Sequence, residues 1–331
     1  MKIGTAVIGC GSFARAIHLP NIRRNNAYAL RAVMDTNAEL AQHTATEFNA
    51  LYGTSNYADV LDDSEVTLVV ICTPHDSHAR LSLQAVEARK HVLVEKPMAL
   101  TLSDAQTLVR AVKRAGVILS VGFNRRYAPL MRKAKELVSE RKGPMIINYR
   151  IVDEIWQHPW ALDPKVGGGR ILSESVHIFD LCTYLIGCEP VRIYADGGAL
   201  THPDIPDTQD NAVMLLRYDD GSIVSITHGD LGSAAYPKER AEMFIGRKTL
   251  VVDNYQHLEG AGFEEQIDTS LDTAEKGFAE ELEELANAIN GTPSGHLANH
   301  IDGARATLCA VKAIEAIRSG CVQAIDLPSL L

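Results

Sequence analysis

Gly9-Cys10-Gly11-Ser12-Phe13-Ala14 follows an apolar run at 3–8 and opens a stretch with helical spacing. In that setting each small position has its own task. Gly9 permits a tight turn, Gly11 lets the backbone approach a diphosphate, and Ala14 lets the helix pack closely on the strand. The N–H groups at the helix start then face phosphate charge, so Gly9, Gly11, Ser12, Phe13 and Ala14 form the expected diphosphate cradle. Asp35 stands just past the next apolar run, Ala32-Val33-Met34. Its carboxylate is placed to accept hydrogen bonds from adenosine ribose hydroxyls. Thr36-Asn37-Ala38 supplies no arginine to meet a 2′-phosphate, so the expected cofactor is NAD. Two further runs end in Ile71-Cys72-Thr73-Pro74 and Val94-Glu95-Lys96-Pro97. Doubly wound sheets hold ligands at such strand ends. An ammonium at Lys96 can hydrogen-bond a reacting oxygen, favouring alkoxide character in oxidation and polarising a carbonyl in reduction. Glu95 either pairs with this lysine or caps local backbone, and Pro97 admits a cis bond that would aim the lysine.

The elements that must position these groups follow from periodicity. Short β-branched runs at 3–8, 30–34, 67–72, 91–94 and 117–121 read as buried parallel strands. Between them, 12–25, 37–49, 77–87 and 103–115 carry apolar residues at three- and four-residue spacing and read as crossover helices. The expected fold is α/β, with an N-terminal doubly wound Rossmann sheet over 1–122. After Gly122 a basic amphipathic helix at 129–141 leads to alternating strands at 146–152, 191–195, 213–218 and 223–227, with Asp219-Asp220-Gly221 as a hairpin signal. A helix at about 172–186 and two closing helices at 278–290 and 300–319 complete an expected C-terminal α+β domain over 123–331, built on a largely antiparallel sheet.

Bulk properties narrow the function classes. A formal charge of -10 and the lack of a Lys/Arg-rich run argue against a nucleic-acid or anionic-membrane surface. No run of about 18 apolar residues and no signal-peptide pattern is present, so a cytoplasmic protein is expected. The six cysteines are scattered without a CxxC pair and read as buried reduced thiols. His75 and His78, and His296 and His300, have spacings that could present two metal ligands, but neither pair has an evident third ligand, and no metal is expected. His75 and His78 instead fall at the strand-to-helix turn beside the expected nicotinamide, where cofactor contact or helix capping is anticipated. The Asn290-Gly291-Thr292 sequon has no secretion signal to support it.

With the glycine motif, the Thr73-Pro74 turn, His78 opening the next helix and Glu95-Lys96-Pro97 in this order, the chain resembles the Gfo/Idh/MocA family over nearly its whole length. That family is named for glucose-fructose oxidoreductase, inositol dehydrogenase and a rhizopine-catabolism protein. The resemblance implies a Rossmann domain joined to an α/β substrate domain, and nicotinamide-dependent oxidation or reduction of a sugar, cyclitol or sugar nucleotide. It also implies assembly as a homodimer or homotetramer.

The stretch Gly167-Gly168-Gly169-Arg170-Ile171-Leu172-Ser173-Glu174-Ser175-Val176-His177-Ile178-Phe179-Asp180 looks like the family's glycine run leading into its active-site helix. The resemblance puts His177 in the catalytic position, where a neutral imidazole accepts the hydroxyl proton as hydride leaves carbon. The chain departs from the inositol-dehydrogenase form, which has an aspartate four residues before this histidine; here Ser173 stands there with Glu174 beside it. Glu174 shares a helix face with His177 and either orients it, binds substrate or supplies helix-start charge. Asp180 reads as a supporting or structural group. Further expected pocket residues are Asn124, Arg125, Arg126, Tyr127, His158 and Trp160, which mix aromatic faces with hydroxyl- or anion-binding groups; for one of the two arginines a solvated or domain-linking role is the alternative. Lys238-Glu239-Arg240 and Lys276-Gly277 are additional candidates from loops the sequence does not place. Two other functions fit the same residues: transient oxidation that drives elimination or epimerisation, with Glu174 as extra acid or base, and a sensor that keeps the cofactor pocket without turnover.

Overall fold

The β-branched runs of the first third form strands whose faces are both covered, which is why they lack polar alternation. In the computed structural model, which describes residues 2–292 and 295–331, these strands are β1 (Ile3–Ile8), β2 (Tyr28–Met34), β3 (Tyr52–Thr54), β4 (Leu68–Ile71), β5 (His91–Val94) and β6 (Leu119–Val121). They pair in parallel in the order β3-β2-β1-β4-β5-β6, so the chain reverses its direction of travel across the sheet between β1 and β4. The helices between them carry their own signals. Asn37 caps Ala38–Phe48 by accepting from Leu40 N–H, and Asn49 closes it at φ 56°. Thr101 caps Leu102–Ala115 by accepting from Asp104 N–H, and Gly116 closes it at φ 66°.

Two local features differ from the periodicity reading. The single helix expected over 12–25 is a π-helical turn, Ala14–His18, running into an α-helix, Leu19–Arg24. The strand β3 and the helix Tyr57–Asp62 after it were not expected; three half-buried strand residues carry too little pattern to show.

The second half builds a larger sheet. Its strands among the described residues are β7 (Ile146–Val152), β8 (Pro190–Gly198), β9 (Asn211–Tyr218), β10 (Ile223–Gly229), β11 (Glu239–Ile245), β12 (Lys248–Asp253), β13 (His257–Ala261), β14 (Ile267–Ser270) and β15 (Gln323–Ala324). The order is β14-β13-β12-β11-β7-β10-β9-β8-β15, antiparallel throughout except for the β7–β10 pair. Asp219-Asp220-Gly221 does turn β9 into β10, with Gly221 N–H donating to Tyr218 O at 3.0 Å. One sheet face is buried: Ile147, Tyr149 and Ile151 of β7 alternate with exposed or half-exposed neighbours. The helix Val176–Ile186 lies on the buried face, its Thr183 hydroxyl 3.1 Å from that of Tyr218. The opposite face shows Ile146, Tyr194, Val213, Leu215 and Phe244 to solvent.

The chain forms two compact units. The first comprises residues 1–123, 278–304 and 331, and the second 124–277 and 305–330. This division differs from a single cut after Gly122. The reason is apolar burial: Leu282, Leu285 and Ala286 of the helix Phe278–Ile289 join Val7, Leu19, Ile22 and Tyr28 in the core of the first unit. Tyr28 also donates to Leu282 O at 2.5 Å. No helix among the described residues is long and apolar enough to cross a membrane.

Candidate active site

In the first unit the glycine motif turns directly out of β1. Gly9 has φ 91°, and a Cβ there would lie 2.6 Å from Cys72 O, so only glycine fits without moving β4's end. Gly11, Ser12 and Phe13 are exposed, whereas Ala14 is fully buried against the sheet. A Cβ at Gly11 would meet nothing within 4 Å, which leaves that stretch of backbone open to an incoming group. Asp35 ends β2 half-buried. Its Oδ2 accepts Cys10 N–H at 2.9 Å and its Oδ1 accepts Asn37 N–H at 2.9 Å, which ties the carboxylate to the glycine turn. An open amide-lined loop and a carboxylate anchored by two backbone N–H groups suit the diphosphate and unmodified ribose of NAD; a 2′-phosphate would meet like charge.

The ends of β4 and β5 carry the remaining candidates of this unit. Thr73 and Ser77 hydroxyls lie 2.6 Å apart, and Pro74 precedes the helix His75–Glu87. His75 and His78 are both buried, with ring centroids 5.5 Å apart. Lys96 is half-buried and its bond to Pro97 is cis. Glu95 is held by His18 and by backbone: its Oε1 is 2.7 Å from His18 Nε2, and its Oε2 accepts the Lys96 backbone N–H at 3.3 Å. His18 arrives on the π-helical turn after the glycine motif and is 2% exposed. Burial works against its charge, but Cys72 and Glu95 beside it hold its proton affinity well above the usual imidazole range. Burial likewise raises Glu95, and His18, Lys96 and His78 outweigh it, leaving the carboxyl below its ordinary value. The pair is thus a buried imidazolium and carboxylate.

In the second unit the glycine run is sterically required. Gly169 sits at φ 79°, and a Cβ there would fall 2.6 Å from Thr208 O. The chain then enters a π-helical turn, Ile171–Ser175, before Val176–Ile186. π-Helical turns recur at functional sites because they rotate side chains out of regular register. Ser173, Glu174, Ser175, His177 and Asp180 are all buried.

Around them lies a charge network. Glu174 Oε1 accepts from Arg125 Nη2 at 2.9 Å and from Lys238 Nζ at 3.0 Å. Arg125 also grips Glu239 through Nε at 2.8 Å and Nη2 at 3.0 Å. Tyr149, Tyr255 and Lys276 donate to the same Glu239 at 2.9, 3.0 and 2.9 Å. Burial opposes the ionised Glu239, but Arg125, Lys276 and Lys238 hold its carboxyl far below the ordinary range. Arg126 pairs with Asp180, its Nε 2.9 Å from Oδ2, so Asp180 is part of an ion pair. Asn124 donates to Lys276 O at 2.7 Å, and Tyr127 is fully buried. His158 and Trp160 lie on an exposed segment, where the His158 ring is tilted against that of Trp156 with centroids 4.7 Å apart. Ser173 is 3.3 Å from the Arg170 guanidinium, which in turn holds Asp230 at 2.8 and 3.0 Å.

The sequence names Arg125, Glu174, Lys238 and Lys276 separately without bringing them together, and it suggests a loop for Glu239, which in fact begins β11. It missed Tyr149, Tyr255, Arg170, Asp230 and His228. Tyr149 was detectable as a polar side chain in the inward phase of β7. His228 was detectable in the same way on β10, where it is 2% exposed with Nδ1 3.0 Å from Ser175 Oγ. Burial and Arg170 push its imidazole down to about 3, so it is neutral. One trio, Cys188, Asp219 and Asp220, has metal-ligand proximity among the described residues, but Arg141 engages Asp220 at 2.7 Å.

Residues 3–123 match the oxidoreductase family, NAD-binding Rossmann fold, and residues 131–250 match the Gfo/Idh/MocA C-terminal domain. The chain is 31% identical over 255 residues to the uncharacterized oxidoreductase YrbE of Bacillus subtilis, covering 76% of this chain and 74% of that protein. It is 28% identical to the myo-inositol 2-dehydrogenase of Thermotoga maritima, covering 88% of this chain and 90% of that one. A levoglucosan dehydrogenase in complex with NADH shares the fold, with a TM-score of 0.86 at 19% identity, over 98% of this chain and 100% of that one.

Proposed function

The chain belongs to the Gfo/Idh/MocA family of oxidoreductases, and from that premise we propose that it moves a hydride between NAD and a hydroxyl-bearing carbon of a sugar or cyclitol. The observation that carries this reading is Lys96, half-buried at the end of β5 in the same Rossmann sheet that carries the glycine turn and Asp35. NAD, when bound, supplies the hydride acceptor or donor. Backbone amides of Gly9 to Ala14 hold its diphosphate and Asp35 its adenosine ribose, while Thr73, Pro74 and His75 lie toward its nicotinamide end, with the buried His78 and Glu95 supporting that turn from within.

The Lys96 ammonium hydrogen-bonds the reacting oxygen and stabilises alkoxide character as the C–H bond weakens. His177 takes the hydroxyl proton during oxidation and returns it during reduction. Glu174, with Arg125 and Lys238 on Oε1, serves as a fixed acceptor for a substrate hydroxyl beside His177. Ser173, Asn124, Arg125, Tyr127, His158 and Trp160 complete the proposed sugar contacts. Sugars and cyclitols are the preferred class because the relatives include a myo-inositol 2-dehydrogenase and a levoglucosan dehydrogenase. The apolar sheet face supports assembly into a homo-oligomer: exposed Tyr194 lies opposite Leu215 in register, and Ile146 opposite Phe244.

The test is a panel of monosaccharides, anhydrosugars and inositols assayed for NADH formation, with NAD binding established beforehand by calorimetry. Steady NADH production from at least one member is expected. Release of product without any change in NADH, or no reaction across the panel despite bound NAD, refutes it.

A further inference from the structure

His78 is fully buried, and each of its ring nitrogens faces a backbone carbonyl. Nδ1 is 2.8 Å from Pro97 O and Nε2 is 2.8 Å from Thr73 O. A carbonyl oxygen only accepts, so each contact requires a proton on the nitrogen that makes it. A neutral imidazole has one such proton. Whichever tautomer it adopted, the other nitrogen would present a lone pair to a carbonyl lone pair at 2.8 Å, a separation too short to admit a bridging molecule. Only the doubly protonated ring satisfies both contacts.

We infer that His78 is a buried imidazolium that ties the end of β4 to the end of β5 and thereby acts as a positioning residue for Lys96. The groups that face it are few. Burial is the largest influence and favours the neutral ring, and Lys96 adds to that; the carbonyls of Pro97 and Thr73 and the Glu95 carboxylate oppose it. The balance of these influences, both carbonyl contacts included, falls below the ordinary imidazole value. The two-carbonyl geometry, which no neutral tautomer fits, assigns the second proton. His75 contributes a ring 5.5 Å away on the same helix, and Glu95 is shared with His18. Charge-assisted hydrogen bonds are roughly twice as strong as neutral ones, so two of them act together against the burial of the charge.

The structural consequence lies at the two turns that frame Lys96. Thr73 opens the turn after β4, and Pro97 is the residue directly after the lysine. Lys96 is therefore held on its N-terminal side by Glu95, which accepts its N–H, and on its C-terminal side by the His78 contact to Pro97 O. Removal of the imidazolium frees both carbonyls and lets the lysine turn drift. A misplacement on the order of 1 Å costs roughly 10²-fold in turnover.

This role rests on the part proposed for Lys96, but the charge on the ring is measurable without any reaction. On the full chain labelled with ¹⁵N-histidine, with and without NAD, the His78 signal is assigned by its absence in His78→Gln. Both ring nitrogens should carry protons at neutral pH and keep them beyond the point where an exposed histidine loses one. A single bare nitrogen at neutral pH overturns the inference. In kinetics, His78→Ala should lose roughly 10²-fold in kcat with NAD affinity nearly unchanged, and His78→Gln, which keeps an N–H donor, should recover most of that loss. An equal fall in NAD affinity, or no recovery in folded His78→Gln, overturns the positioning role. An inactive wild-type protein that still shows the doubly protonated ring would refute the proposed reaction and leave the charge assignment standing.

Discussion

Replacing Glu239 by glutamine tests the buried charge network of the second unit, because the change keeps the shape and removes one charge. Glu239 is 1% exposed and accepts from Arg125, Tyr149, Tyr255 and Lys276. In the wild type the cations Arg125, Lys238 and Lys276 are matched by Glu174, Glu239 and Asp153. Glutamine leaves one of these cations without its counter-charge and aims an N–H₂ group at donors. Breaking a buried pair from one side costs about 3–5 kcal/mol. For a unit of this size each kcal/mol moves the melting point by roughly 2–4 °C, so a drop on the order of 10 °C is expected. The pH dependence has a definite sign. Burial raises Glu239 but Arg125, Lys276 and Lys238 lower it further, so its folded value lies far below the unfolded one. Its contribution is present above the unfolded carboxyl value and is lost progressively as pH falls from there through the folded value, so the gap between wild type and E239Q should begin to narrow below the ordinary carboxyl range and close only in strong acid. Calorimetric melts of both proteins across pH, with NAD titrations alongside, make the measurement. A melting shift within about 2 °C, or a gap that widens on acidification, would refute the network as a source of stability.

Three other changes probe the remaining elements. Asp35→Asn should weaken NAD binding and narrow the preference over NADP, read from the ratio of the two dissociation constants; an unchanged ratio argues against ribose recognition by this carboxylate. His18→Gln should destabilise the first unit in neutral and mildly acidic solution. Because the folded imidazole titrates above its unfolded value, that deficit should shrink as pH rises through the folded value, while on the acid side Glu95 loses its contribution as pH falls through its own lowered value; a deficit that grows with alkalinity contradicts the pairing. Gly169→Ala forces a Cβ to 2.6 Å from Thr208 O at φ 79° and should cost more than about 1 kcal/mol in stability, with turnover lost and NAD affinity kept.

The Rossmann half was legible because its signals are local and redundant. Strand runs such as Ile3–Ile8 are continuous, and Asn37 marks a helix start that the structure caps through that very side chain, whereas the helix read from 103 begins one residue earlier under a Thr101 cap. The β-hairpin at Asp219-Asp220-Gly221 was legible for the same reason. What was lost depends on long-range packing or on weak patterns. Strands β11 and β12 join through Gly246 and Arg247, both at positive φ, a turn whose Gly-Arg sequence is not a strong hairpin signal. The return of Phe278–Ile289 to the first unit's core is a choice between two apolar surfaces that an amphipathic helix does not declare. Within the candidate site, the places of the glycine motif, Asp35 and the Glu95-Lys96-Pro97 segment at strand ends were readable from the strand runs before them. Glu239 was not, because its significance comes from Tyr149, Tyr255, Arg125 and Lys276, which converge on it from sequence separations of 16 to 114 residues. Neither π-helical turn has a period that sequence reading detects.

The central claim is hydride transfer at a carbon whose oxygen Lys96 activates. The direct measurement uses the sugar or cyclitol that supports NADH formation, deuterated at the reacting carbon, with the label followed into the nicotinamide by mass spectrometry for wild type and Lys96→Met. The account predicts one deuterium per NADH in the wild type. In the variant it predicts transfer slowed by about 10²–10³-fold with NAD affinity nearly unchanged. Unlabelled NADH from the wild type, or a variant that transfers label at the wild-type rate, would contradict it.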